Sequence, residues 1–332
     1  MIKLVPLKCT NRISGRLPRS YDQLHSMDLK QLRYFVRVAE LGSFAKASDL
    51  LDVAQPTLSR QVRALEVELK TSLFHRNGRG VLLTPLGARF LEQAHGVLHV
   101  ADASLQVLHD SERRYSGRVV CGMTPSVGRI LTSPYVHRFQ KELPGATLTV
   151  LSHLSTALHE QLRASRLDFA ILHDPQPSPS LDVTHLRDQA LFVLGTRPLG
   201  SKPDTVSMRA LDQVPLVMPS ESHAVRKTIE VAAARARIKL DVRFEVDSIE
   251  SVFQLVHDGV GHTISTQLAA LDLKSAKRLA IQRIVAPALT SELSLVTPLQ
   301  RSLTALQARA AELARETFLA LPLETWPPTT AR

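Results

Sequence analysis

The spacing of apolar and polar residues changes near residue 117. From Met27 to about residue 114, apolar residues recur every three or four positions, which predicts amphipathic helices with one interruption near 73–83. Beyond Gly117, short apolar runs alternate with helical stretches, which predicts βα units around a mostly parallel sheet. The predicted strands contain Val119–Cys121, Leu148–Leu151, Phe169–Leu172, Leu191–Leu194, Leu216–Met218 and Leu293–Val296. The chain therefore divides into a helical N-terminal domain and an α/β domain, with the boundary at 115–117.

Residues 1–26 show neither period and are interrupted by Pro6, Gly15 and Pro18. We expect translation to begin at Met27, so that this stretch is either a disordered extension or a mis-assigned start. No apolar run long enough for a secretory signal follows its cations. No run anywhere is long enough for a transmembrane helix.

The pattern between Ser43 and Leu69 predicts two short helices joined by a tight turn. Ser43 is a good N-cap for a helix over 44–51, and a three-residue connection leads to a second helix over 55–69 with Pro56 in its first turn. This is the helix-turn-helix arrangement.

The second of these helices has two different faces. Leu58, Val62, Leu65 and Leu69 fall on one arc at about 100° per residue. A second arc carries amide, hydroxyl and guanidinium groups, which match base edges and phosphates in a major groove. Its members are Gln55, Pro56, Ser59, Arg60 and Arg63. An ordinary amphipathic helix with a solvated face is the alternative.

The next segment favours DNA binding over that alternative. Residues 73–83 predict a hairpin with an Asn77-Gly78 turn, and its tip holds Arg76 and Arg79. A cationic hairpin just after a helix-turn-helix is a wing, which can follow a phosphate backbone or enter a minor groove.

Thr84 and Pro85 then predict the start of a long helix. About 30 residues would span roughly 45 Å, too long for the small winged unit to cover. The apolar stripe therefore predicts a dimerisation helix, with a buried inter-domain helix as the alternative. The stripe residues are Leu86, Phe90, Val97, Ala101, Leu105 and Leu108.

Composition narrows the class of protein. The chain has 332 residues, 44% of them hydrophobic, and a net charge of +10, which permits a polyanionic partner. Its two cysteines, Cys9 and Cys121, lie far apart, which excludes a disulfide scaffold and a four-cysteine zinc site.

At this point the sequence resembles the LysR-type transcriptional regulators, with matching order and spacing over about 60 residues. The matching residues are Leu32–Phe35, Gly42-Ser43-Phe44, Ala47, Leu51, Gln55–Val62, Leu65-Glu66, Leu73-Phe74, Arg76, Leu83-Thr84 and Gly87. The resemblance implies Gln55, Pro56, Thr57, Ser59, Arg60 and Arg63 in the groove, with Arg76 and Arg79 on the wing. Two positions depart from the family pattern: Ser48 replaces the usual alanine, and Lys70 replaces a helix-ending glycine.

The resemblance also implies the domain organisation. A winged helix-turn-helix domain covers 27–84, a dimerisation helix 85–116 and an effector domain 117–323, followed by a tail over 324–332. The effector domain resembles periplasmic binding proteins, with one subdomain at about 118–190 and 283–323 and the other at about 191–282. The implied partners are double-stranded promoter DNA, a small effector, RNA polymerase and the protein itself, as a homodimer and by resemblance a homotetramer. A cytoplasmic, nucleoid-associated protein with no membrane partner, cofactor or metal is expected.

Four segments of the second domain predict an effector pocket, because in open α/β sheets ligands bind beyond the carboxyl ends of strands, where helices begin. Hydroxyl-rich helix starts and Arg226 favour a small anion, such as an organic acid. Plain helix caps, and a surface role for Arg226, are the alternatives. The candidate residues are Thr124, Ser126, Ser155, Thr156, Ser220, Ser222, His223, Arg226, His262 and Thr263.

Three other functions are alternatives to a ligand-responsive regulator. A transporter's solute-binding protein would need a signal peptide and no winged helix. A hydrolase or transferase would need a nucleophile–base pair, yet the sequence has no Gly-x-Ser-x-Gly, Walker-type or Gly-x-Gly-x-x-Gly motif. A constitutive architectural DNA-binding protein would leave the second domain without a ligand. The sequence therefore predicts a regulator and not an enzyme.

Overall fold

The computed structural model describes residues 27–77, 80–109, 115–271, 279–299 and 303–322. By packing, the chain forms two compact units, which meet in sequence between Leu98 and His99. Each unit is described by itself below. None of the helices in the described residues is long and apolar enough to cross a membrane.

The N-terminal unit is a winged helix-turn-helix. Its elements are α1 (Leu29–Leu41), α2 (Phe44–Leu51), α3 (Gln55–Glu68), β1 (Phe74–Asn77), β2 (Gly80–Leu83) and the start of α4 (Pro85–His109). Asp28 and Ser43 cap α1 and α2 by accepting hydrogen bonds from backbone N–H groups, as their residue types favour. The predicted helices and hairpin are confirmed.

Aromatic side chains form the centre of this unit. The ring of Phe35 lies 5.3 Å from that of Phe74 and 5.2 Å from that of Phe90, so α1, the wing and α4 share one core. Leu58, Val62 and Leu65 are fully buried in the same core. The two departures from the family pattern are accommodated: the Ser48 hydroxyl donates to the Ala45 carbonyl, and Lys70 adopts a left-handed φ of 51° just after α3.

The junction between the wing and α4 requires a glycine. Thr84 caps α4 by accepting from the Gly87 N–H at 2.9 Å, and this brings the helix against the strand that begins the wing. A Cβ at Gly87 would lie 2.0 Å from the Leu73 carbonyl oxygen. Only a residue without a side chain permits this approach of two backbones.

The second unit contains the end of α4 and an α/β fold. Its strands are β3 (Gly117–Met123), β4 (Ala146–Ser152), β5 (Phe169–His173), β6 (Leu181–Gly195), β7 (Thr205–Ser207), β8 (Pro215–Met218), β9 (Asp241–Glu245), β10 (Thr263–Thr266), β11 (Ala280–Ala286) and β12 (Thr290–Pro298). Its helices are α5 (Pro125–Glu142), α6 (Ser155–Arg163), α7 (Ala224–Ala236), α8 (Ile249–His257), α9 (Gln267–Leu271) and α10 (Ala305–Leu319), with a 3-10 turn at Met208–Leu211.

One long strand, β6, and the segment between β11 and β12 join the two subdomains of this unit. The first part of β6 pairs with β12, and its last residues pair with β10 and β11. All of β11 pairs with β6 and β7 in the second subdomain, so the return crossing lies at 287–289. The sequence predicts the subdomain boundary at about residue 283, which falls within β11 (Ala280–Ala286).

The sheet is mixed, and the prediction of a mostly parallel sheet was wrong. Pairings β3–β4, β3–β5, β8–β9 and β7–β11 are parallel. Pairings of β12 with β5 and β6, and of β6 with β10 and β11, are antiparallel. The physical reason is that the chain crosses between the subdomains in both directions, so the crossing strands oppose their neighbours.

Candidate nucleic-acid interface and ligand cavity

Helix α3 separates a buried face from a solvated one. Leu58, Val62 and Leu65 are fully buried, whereas Gln55, Pro56, Arg60 and Arg63 are exposed. Thr57 and Ser59 lie at the edge between the faces, half-buried. Within the described part of the chain, neither Arg60 nor Arg63 has an ion partner. Both guanidinium groups are thus free to meet an anionic surface.

The acids that follow Arg63 in α3 are held by the backbone. Glu66 accepts from the N–H groups of Leu73 and Phe74, at 2.8 and 3.2 Å, and so fixes the segment that leads into the wing. Glu68 accepts from the Met27 N–H at 3.0 Å. Neither carboxylate forms an ion pair with Arg60 or Arg63 in the part of the chain that the structure describes.

The wing lies partly outside the described residues. Arg76 is on β1, in register with Val81 on β2. Arg79 falls outside the described residues, and its predicted role at the tip stays a prediction.

The stripe of α4 is only partly solvent-facing. Leu86, Val97 and Leu105 are 53%, 45% and 51% exposed, which is high for large apolar side chains. Phe90 instead packs against Phe35 in its own unit, and Ala101 is half-buried. The side chain of Leu108 falls outside the described residues. A groove of about 490 Å³ beside Leu86 is lined by Leu69, Leu73 and Phe90.

A cavity lies where the two subdomains of the second unit meet. Its volume is about 40 Å³, room for water molecules rather than for an aromatic acid. Its walls come from the starts of α5, α7 and α8 and from the end of β10. The lining residues are Thr124, Pro125, Ser126, His173, Pro219, His223, Val225, Arg226, Ile229, Ile249, Ile264, Ser265, Thr266 and Ala269.

Four of the ten predicted effector residues line this cavity: Thr124, Ser126, His223 and Arg226. The other six lie outside the lining. Ser155 is buried and accepts from the backbone N–H of His173 at 3.1 Å, while Thr156 follows it in α6. Ser220 and Ser222 bond each other through their hydroxyls at 2.8 Å.

His262 and Thr263 have packing partners in the second subdomain instead. The ring of His262 lies against Gly195, where a Cβ would come within 2.1 Å of it, and its Nε2 lies 3.1 Å from the Arg197 carbonyl oxygen. The Thr263 hydroxyl faces the Met218 sulfur at 3.9 Å. Because these contacts come from residues distant in sequence, the local pattern around His262 and Thr263 could not show them.

His173, absent from the predicted site, lies at the base of the cavity. Its Nε2 is 3.3 Å from the Ser126 hydroxyl, and its Nδ1 is 3.2 Å from the Ser291 hydroxyl. Burial, with a smaller contribution from His223, lowers the pKa of His173 to about 3. The imidazole is therefore neutral at physiological pH. Its position at the carboxyl end of β5 was the one sequence feature that could have indicated a place in the site, since strand ends line such sites.

Asp174 connects this base to the other subdomain. Its carboxylate accepts from the Glu292 N–H at 2.8 Å, from the Ser291 hydroxyl at 2.9 Å and from the Thr228 hydroxyl at 3.1 Å. Burial raises the pKa of Asp174, and these three hydrogen bonds partly offset the shift. A continuous line of polar groups thus runs from the cavity to α7.

Arg226 lines the cavity, but acidic side chains compensate its charge. Its side chain is 5% exposed, and its Nε donates to Glu230 at 2.6 Å. Its Nη1 donates to the Pro219 carbonyl at 3.0 Å and lies 3.6 Å from Glu245. The sequence placed Arg226 in the pocket without showing that two carboxylates neutralise it.

Two buried polar atoms of the lining have no partner among the described residues: the Thr124 hydroxyl and Nδ1 of His223. Both residues are N-caps, of α5 and α7, and neither side chain caps its helix. Burial lowers the pKa of His223, with Asp247 opposing the shift, so this imidazole is also neutral. Across the described residues, no cluster of histidine, cysteine and acidic side chains could hold a metal ion.

Fold and site together define a winged helix-turn-helix DNA-binding regulator with an α/β second domain. Residues 29–88 match the model of the bacterial regulatory helix-turn-helix proteins of the lysR family, and residues 112–319 match the LysR substrate binding domain. The chain belongs to the LysR family of DNA-binding transcriptional regulators.

Relatives and solved structures agree with this assignment. The nitrogen assimilation regulatory protein nac of Escherichia coli is 28% identical over 279 residues, covering 84% of this chain and 91% of that protein. A full-length OxyR variant from Pseudomonas aeruginosa has the same fold with a TM-score of 0.67 at 23% identity, covering 90% of this chain and 97% of that one. Full-length CbnR bound to its target DNA gives 0.64 at 22% identity, covering 88% and 100%.

Proposed function

We propose that this regulator binds operator DNA through α3 and the wing, and that a small effector bound between the two effector subdomains controls it. The observation that carries the DNA interface is the pair of exposed arginines, Arg60 and Arg63, above a helix face that is fully buried. Guanidinium groups at this spacing suit guanine edges and phosphates in a major groove.

An operator titration at fixed salt tests this interface. Arg60→Ala should cost about 1–3 kcal/mol at the specific site and relax its sequence preference. Arg79→Ala on the wing should weaken binding to all sequences and flatten the salt dependence. Wild-type affinity in Arg60→Ala, with folding unchanged, would contradict the proposed face.

For assembly, we propose a homodimer formed along α4, with a homotetramer as the larger form and RNA polymerase as a further partner. The exposed Leu86, Val97 and Leu105 support a partner on this helix. Leu105→Glu would place charges in the helix seam, so sedimentation should show a smaller assembly. An unchanged mass would mean that the stripe has no role in self-association.

For the effector, we propose a small organic acid whose charge lies toward the starts of α5 and α7. The uncapped helix starts favour an anion, and the buried Thr124 hydroxyl and His223 Nδ1 offer it hydrogen-bond partners. Arg226 contributes little to this preference because Glu230 and Glu245 balance its charge. Since the cavity is small, an acid larger than a few atoms requires the subdomains to separate.

Calorimetry of the full-length protein against carboxylates, their amides and neutral analogues tests the charge. Carboxylates should bind more tightly than their amides, and Thr124→Val should reduce the difference. Tighter binding of the amides would overturn the anionic effector and leave the DNA interface intact.

Thiol oxidation at Cys121 is not the proposed trigger. Cys121 is fully buried in β3, and burial raises the pKa of its thiol well above the ordinary value. A protonated, inaccessible thiol is a poor nucleophile. An effector held in the cavity is therefore the better-supported trigger.

A further inference from the structure

The hydrogen-bond chain beneath the cavity fixes the direction in which each of its protons points. The chain runs from Ser126 through His173 and Ser291 to Asp174, over distances of 3.3, 3.2 and 2.9 Å. Each hydroxyl has one proton, and a neutral imidazole has one. Once one end of the chain is assigned, the rest follows.

Asp174 sets that end. Its carboxylate is the acceptor for one backbone N–H and two hydroxyls, so the proton of Ser291 points to Asp174 Oδ2. The Ser291 oxygen can then only accept from His173, which places the imidazole proton on Nδ1. The pKa of about 3 means that the ring has no second proton at neutral pH. Nε2 therefore accepts, and the Ser126 hydroxyl donates to it.

The consequence reaches the cavity wall. Ser126 donates its single hydroxyl proton to His173, so its oxygen presents only lone pairs to the cavity that it lines. An oxygen with no free proton repels a carboxylate or carbonyl oxygen and attracts an N–H or O–H group.

We propose that the effector places a hydrogen-bond donor, a hydroxyl or an amino group, against Ser126, with its acidic group elsewhere in the cavity. This inference rests on the proposed function and narrows it to hydroxy or amino acids. Ser126 becomes a specificity-determining residue through the proton order of His173, Ser291 and Asp174, none of which the sequence brought together.

Long-range proton–nitrogen NMR correlations of the full-length protein, labelled at histidine nitrogens, test the proton order. The His173 signals are those that move in Ser126→Ala and not in the matched control Ser222→Ala, whose side chain is exposed and outside the cavity lining. At neutral pH, we expect Nδ1 to carry the proton and Nε2 to be bare. A proton on Nε2 overturns the inference.

Glycolate, acetate and methoxyacetate then test the cavity wall, since only the first carries a hydroxyl donor beside its carboxylate. The concentration that half-shifts the Nε2 signal should be about three- to tenfold lower for glycolate than for the other two acids, because one hydrogen bond changes the affinity by that factor. An equal response to the three acids, or a larger one to methoxyacetate, overturns the inference. Operator binding measured on the same samples separates the outcomes, because failure of the proposed function would appear there.

Discussion

The two units use arginine in opposite ways. On α3, Arg60 and Arg63 are exposed and have no ion partner among the described residues. Beside the cavity of the second unit, Arg226 is almost fully buried and contacts two glutamates and a carbonyl. A surface that binds a polyanion can leave its charges in water until the partner arrives. A buried charge must be compensated inside the fold, since burying it alone is costly.

The contrast shows where sequence patterns locate function. The exposed arginines of the proposed DNA-binding surface lie on one helix, so the helical period places them together. A buried site is assembled from several elements, and some of its polar groups, such as the Ser126 hydroxyl, are engaged by residues far away in sequence. The availability of Ser126 therefore depends on the distant His173, and that of Arg226 depends on Glu245 as well as on Glu230 in its own helix.

Substituting a glycine in each unit should give opposite results. Gly87→Ala would force a Cβ to 2.0 Å from a backbone oxygen and should destabilise the N-terminal unit by about 4 kcal/mol. Gly128→Ala in α5 meets its nearest atom at 3.7 Å and should stabilise the second unit by about 0.5–1 kcal/mol. Denaturant unfolding followed separately for each unit measures both. Wild-type stability in Gly87→Ala would contradict the close contact.

Removing an arginine from each unit should affect stability to different extents. Arg226→Met leaves a carbonyl and two glutamates without their partner, and because those glutamates are 40% and 51% exposed the cost should be moderate, about 2 kcal/mol. Arg60→Ala should change the free energy of unfolding by no more than about 0.5 kcal/mol. Thermal and chemical unfolding are the measurements. A larger loss of stability in Arg60→Ala than in Arg226→Met would reverse the comparison.

Acid should weaken the second unit through His173. The unfolded chain protonates a histidine near its ordinary pKa of about 6.5, while folded His173 stays neutral down to about pH 3. The unfolded state thus binds one more proton in this window, and the free energy of unfolding falls by about 1.4 kcal/mol per pH unit as the pH falls. His173→Gln should remove this contribution, so that the free energy of unfolding depends on pH less steeply by about 1.4 kcal/mol per pH unit. The same slope in the variant would mean that another group is responsible.

A further small effect is expected at the end of α3. Lys70 has a φ of 51°, a conformation that costs a residue with a Cβ about 1 kcal/mol, so Lys70→Gly should stabilise the N-terminal unit by about that amount. Asp52 has the same φ and is the matched control, since aspartate tolerates this conformation better. Unfolding midpoints of the two glycine variants should show the larger gain at residue 70. Destabilisation by Lys70→Gly would show that its side chain makes a contact of greater value.

The sequence by itself predicted the helix-turn-helix, the hairpin, the Thr84 start of α4 and the family. These features depend on residues close in the chain: an N-cap, a proline in the first turn and an apolar face repeating every three or four positions. The same local logic placed Thr124, Ser126, His223 and Arg226 at the cavity, because each lies where a strand gives way to a helix.

Only the tertiary structure decided what those residues can do. The mixed sheet follows from a chain that crosses twice between subdomains, and the crossing brings Ser291 of β12 to His173 of β5 and Asp174 just beyond it. The neutrality of His173 follows from burial, and part of the compensation of Arg226 comes from Glu245 on β9. Proton positions, burial and charge balance depend on every neighbour in space, whereas periodicity records only neighbours along the chain.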